Sequence, residues 1–134
     1  MIKQIVDEIK AVVNNIPNIN TVVDFNPYDI NSLKSVEYTT FAWVLNEIQE
    51  GPIGTTINMS LFYIDRLAKD NSNKMLIYET SFNTLRRIIN TLETEYNYYI
   101  PDKRYTHFTE EFADKCAGCW VDISISVDLG DCIY

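Results

Sequence analysis

The sequence predicts an α+β fold, a mainly antiparallel sheet with two helices packed on one face. Three observations predict it. Residues 120–128 alternate, with apolar branched Val121, Ile123, Ile125 and Val127 set between polar Asp122, Ser124, Ser126 and Asp128. Successive strand side chains turn to opposite faces, so this is a strand with one covered face and one wet face. Residues 55–65 supply a partner: Ile57, Met59, Leu61 and Tyr63 alternate with Thr56, Asn58 and Ser60 before Phe62 and Ile64 break the pattern. Finally, two segments carry apolar residues at helical spacing.

The first of these begins the chain. Ile2, Ile5, Val6, Ile9, Val12, Val13 and Ile16 form a one-sided stripe, and Pro17 ends the helix because the residue before a proline is driven out of helical conformation. Residues 21–25 read as a short strand. Residues 26–34, with a proline, a serine and several Asn and Asp, read as a loop. Residues 38–45 are rich in β-branched and aromatic side chains and predict another strand. Residues 47–54, containing Gly51 and Pro52, connect it to the strand at 55–65 as a long hairpin.

Residues 66–73 are polar, and Ser72 or Asn73 can cap a helix over 74–95. Leu85, Ile88, Ile89, Leu92 and Tyr96 are its expected buried stripe, extended backwards by Phe82 and Tyr78. Pro101 marks a break over 97–102. Residues 104–112 read as a strand followed by a turn, and residues 113–118 lead into the final strand. The sheet's second face is left wet for a partner.

Composition limits what such a domain does. The 134 residues, 1–134, read as one domain, and 46% hydrophobic residues with 4 Gly and 4 Pro predict a globular chain. A formal net charge of −8 argues against general affinity for nucleic acid or an anionic membrane, both of which require a basic surface. The start of the sequence lacks the pattern of a signal peptide, and no stretch has the length to span a bilayer. Three cysteines without an export signal predict reduced thiols in a cytoplasm.

Cys116 and Cys119, with His107 upstream and Cys132 downstream, have the residue types for a zinc site. A second closely spaced pair is missing, and Cys119 shares the inward parity of Val121. A small buried hydrophobe is the expected role of Cys119, with neither zinc nor a disulfide among the three cysteines. A Cys–His nucleophile needs a third group to orient the base and donors for an oxyanion, and the only histidine, His107, has neither signal near it. The scattered glycines build no phosphate cradle. Asp7–Glu8, Glu110–Glu111 and the cluster of Asp65, Arg66, Lys69 and Asp70 read as solvated faces or turns. The expectation is no enzyme, no cofactor and no metal.

Aromatic residues carry more information. Tyr96, Tyr98, Tyr99, Tyr105, Phe108 and Phe112 crowd one stretch, where they either close the core or offer an interface. The candidate interface residues are Pro27, Tyr28, Pro52, Tyr98, Tyr99, Tyr105 and Phe108. They lie in segments 26–34, 47–54 and 98–112, read as long loops whose aromatics and prolines favour ordering against a partner.

Several of these features together resemble a family of small virion proteins of tailed bacteriophages, especially those infecting Bacteroides-type gut bacteria. One likeness is Tyr63-Ile64-Asp65-Arg66 followed by Lys69-Asp70 and Asn73, where a strand ends in Asp-Arg and an Asn opens a helix. Another is Phe108-Thr109-Glu110-Glu111-Phe112-Ala113-Asp114, then Gly118, the alternating strand and Cys132. The order of elements agrees over most of the chain. In the family a Gly is followed directly by Trp; here Cys119 intervenes, which moves the Trp120 indole to the opposite face.

The resemblance implies a tail-terminator-like fold and a tail or head-to-tail connector subunit, made in the host cytoplasm and built into the virion. It implies partners in the form of further copies in a ring and other connector or tail proteins. Double-stranded DNA would pass the ring's channel without specific binding, consistent with an acidic wall. Two other readings stand beside it, a cytoplasmic protein-binding adaptor and a small Cys/His metal-binding protein using Cys116, Cys119, Cys132 and His107.

Overall fold

A computed structural model describes residues 2–23, 39–52, 54–68, 70, 72–109 and 116–128. Seven elements follow in order: α1 (Ile2–Asn14), β1 (Thr21–Val23), β2 (Thr40–Gly51), β3 (Gly54–Arg66), α2 (Lys74–Glu95), β4 (Tyr99–Thr109) and β5 (Cys116–Asp128). The strands form one five-stranded sheet in the order β1-β2-β3-β5-β4. β1 joins β2 in parallel, and every other pairing is antiparallel. The fold class is the α+β arrangement that the alternation predicts, with two helices on one face.

The centre is the β3–β5 pair, which runs in unbroken register from Gly54 opposite Asp128 to Arg66 opposite Cys116. Alternation then sends Ile57, Met59, Leu61 and Tyr63, with Cys119, Val121, Ile123 and Ile125, to the same face. All eight are buried in the main core together with Ile5, Val6, Ile9, Val12 and Val13 of α1 and Leu85, Ile88, Ile89 and Leu92 of α2. Each large aliphatic side chain so placed contributes about 1.5–3 kcal/mol of burial free energy. Tyr63 is the polar exception inside this core. Its hydroxyl accepts a hydrogen bond from Asn18 Nδ2 at 3.2 Å, which fastens the segment after α1 to the sheet.

The two helices keep their predicted stripes. α1 stops at Asn14, with Ile16 still buried ahead of Pro17. α2 spans Lys74–Glu95 and buries Ile77 and Ser81 as well as the four expected aliphatics, while Tyr78, Phe82 and Tyr96 are half-buried. Asn73 occupies the cap position without a side-chain cap bond. Its amide is already committed, since Oδ1 accepts from the Ala68 N–H at 2.7 Å and Nδ2 donates to the Arg66 carbonyl at 3.2 Å. The residue closes the β3–α2 connection instead. At the other end Asn97 takes φ 59°, the left-handed conformation that terminates helices, and the Tyr98 N–H reaches the Leu92 carbonyl.

Three strand boundaries differ from the sequence reading. β2 continues through residues 47–51, so the expected long hairpin is a tight turn at Pro52 between paired Gly51 and Gly54. Gly54 has φ 154°, a conformation costly for any side chain, and this permits the tight turn. The strand expected from residue 104 begins earlier, at Tyr99, so the segment 98–112 offered as an interface loop holds the eleven-residue strand β4. Pro101 lies inside that strand because β4 is a sheet edge and the register shifts between Tyr99 and Asp102, where a missing N–H is tolerated. β5 begins at Cys116, so Gly118 belongs to the strand and not to its approach. Residues 26–34, expected as a loop, and residues 110–114 of the family-like motif lie outside the described residues.

The second sheet face is only partly wet. Near Gly118 it buries Ala42, Phe62, Ile64, Phe108 and Cys116, with Val44 and Trp120 packed against them. Phe62 and Ile64, which break the alternation, are the residues that make this small core. Toward the hairpin the same face turns polar: Asn46 Nδ2 donates to Ser60 Oγ at 2.8 Å, Ser60 Oγ donates to Asp122 Oδ1 at 2.5 Å, and Ser124 Oγ donates to Asn58 Oδ1 at 2.7 Å.

Gly118 is a packing requirement. A Cβ there would stand 1.8 Å from the Tyr63 carbonyl oxygen and 3.1 Å from the Phe108 ring. Gly118→Ala is expected to lower unfolding free energy by about 1–3 kcal/mol through overpacking, whereas Ser126→Ala on the exposed part of the face should change it by less than about 0.5 kcal/mol. Urea unfolding followed by circular dichroism measures both; equal midpoints would show that the backbone relaxes around the added methyl.

Candidate functional site

Strand parity separates two members of the Cys–His group. Cys116 and Cys119 lie three residues apart on one strand, so they point to opposite faces, and both are buried. Cys119 sits in the main core, and Cys116 in the small core of the second face. His107 is paired across the strands with Cys119, but its ring packs 4.8 Å from the Tyr78 ring and Nε2 lies 3.2 Å from the Tyr78 carbonyl oxygen. Among the described residues no group of three His, Cys, Asp or Glu side chains is placed to hold a metal ion. Cys132 lies outside them. Burial pushes the Cys119 thiol up to about 11, which keeps it protonated and poorly nucleophilic at neutral pH.

The candidate interface aromatics separate into three groups. Pro27 and Tyr28 lie outside the described residues. Tyr99 is 61% exposed and Pro52 is exposed at the hairpin turn. Tyr98 and Tyr105 are half-buried structural residues: the Tyr98 hydroxyl donates a hydrogen bond to the Glu8 carboxylate of α1, and Tyr105 meets Phe82 edge-on at 4.8 Å. Phe108 is not a surface residue. It is 3% exposed, because it covers the side-chain-free patch at its cross-strand partner Gly118 and stacks on Trp120 at 5.7 Å. Trp120 also packs against Phe62 at 5.7 Å, on the face opposite Cys119, as the inserted residue requires.

The segment 47–54, expected as an interface loop, is for the most part the outer edge of β2, which the sequence reading did not extend back to Val44. β1 covers only Thr40–Ala42, so from Val44 to Gly51 no second strand pairs with β2 among the described residues. A register shift between Leu45 and Glu47 keeps Leu45 and Ile48 on the same face although they are three residues apart. They are 36% and 41% exposed, with Glu47, Gln49 and Glu50 exposed around them. That bulge hid the surface, since a strict period of two places the pair on opposite faces. An open hollow of about 720 Å³ lies at the same end of the sheet, lined by polar groups of Gln49, Glu50, Thr55, Thr56, Tyr99 and Ser126. It contains no nucleophile paired with a base and no cationic side chain among those lining residues.

Among the described residues no helix is long and apolar enough to cross a membrane. No protein-family model matches the sequence, and no curated protein matches it significantly.

Burial also raises the hydroxyls of Tyr63, Tyr98 and Tyr105, with the Glu8 carboxylate adding to the shift at Tyr98 and Cys119 to that at Tyr105. All four groups hold their protons more tightly folded than unfolded. Their contribution to stability is complete below the unfolded thiol value near 9.0 and is lost as pH rises through the folded values, beginning with the thiol near 11. Urea midpoints are expected to be level from pH 7 to 8.5 and to fall steadily above it; a midpoint unchanged at pH 10.5 would contradict the buried placement.

Proposed function

We propose that this chain is a structural subunit of a tailed-bacteriophage particle, forming a ring in the tail or head-to-tail connector around the DNA channel. Its fold on this reading is tail-terminator-like, and its partners are further copies and the adjoining connector or tail proteins. The observation that carries the reading is the joint likeness of residues 63–73 and 108–118 to that family. In the structure the first of these is one device: β3 ends at Asp65 and Arg66, the Asp65 carboxylate accepts the Arg66 N–H at 2.8 Å, and Asn73 ties the strand end to the start of α2. Such a device sets the angle between sheet and helix, and a shared scaffold is what shared motifs of this kind encode.

A ring is the assembly that suits the chain. A small subunit that touches a neighbour on either side must use two different patches, and head-to-tail contacts close when the rotation per subunit divides a full turn. Each contact can be of modest area because closure makes the contacts cooperative. The net charge of −8 gives such a channel an acidic and neutral wall, which does not grip passing DNA by its phosphates. The chain on this reading binds no cofactor and catalyses no reaction.

Imaging of the assembled particle with this subunit labelled tests the reading. The expected result is a closed ring on the head–tail axis, its channel lined by acidic and neutral side chains. Isolated copies away from the axis, or a channel lined with Lys and Arg, would overturn it.

A further inference from the structure

We draw no further inference here: the strongest candidate, the open hollow at the hairpin end of the sheet where Gln49, Thr56, Ser126 and Tyr99 line up across the strands, carries nothing because its mixed amide, hydroxyl and carboxylate lining selects no one class of ligand and no buried polar side chain among the described residues is left without a partner to meet one.

Discussion

The unbroken register between β3 and β5 is the constraint from which the rest of the structure follows. One residue of slip would put Ile57, Met59, Leu61 and Tyr63 on the face opposite Val121, Ile123 and Ile125, so the helices would lose one of the two strands they cover. The register is held by two features at its ends. At one, the turn between Gly51 and Gly54 sets β2 against β3 and fixes the free end of the pair. At the other, Gly118 lets β5 lie so close to the Tyr63 carbonyl that no side chain fits between them. Polar bonds between the strands reinforce it where apolar packing gives out, through Ser60 with Asp122 and Ser124 with Asn58.

Tyrosines fasten the helices to this frame in addition to the aliphatic packing. Tyr63 reaches Asn18 beyond α1, Tyr98 reaches Glu8 within it, and Tyr78 of α2 bonds Thr109 at the end of β4. Each puts an aromatic body into apolar surroundings while its hydroxyl finds a polar partner. Crowding of tyrosine in the second half of the chain is therefore largely structural. It ties one layer to the other and leaves Tyr99 as the member most open to a partner.

Much of this was legible in the sequence. Helical and strand periods gave α1, β3, α2 and β5 because each has one continuously covered face, and burial imposes its period on the residues that supply it. The same logic put Cys119 in the core and turned Trp120 away from it. The bounds of β2 and β4 were not legible. Both are edge strands with little buried area, so Glu47, Gln49, Pro101 and Asp102 could enter them without penalty and read as loop. Asn73 looked like a helix cap and serves the preceding turn instead, since the amide can satisfy either and only the folded chain brings Arg66 and Ala68 within its reach.

The sequence by itself determined which residues of α1, β3, α2 and β5 face the main core, because alternation and helical spacing are local consequences of backbone geometry. Tertiary structure decided what lies beside what. It made Phe108 the cover of Gly118, split Cys116 from Cys119 across the sheet, and placed Leu45 and Ile48 side by side through a one-residue bulge. Strand order also set β1 with β2 at one margin and β4 at the other. None of these follows from a period, since each depends on pairing between residues far apart in the chain, and that pairing is settled only when the whole sheet closes over its core.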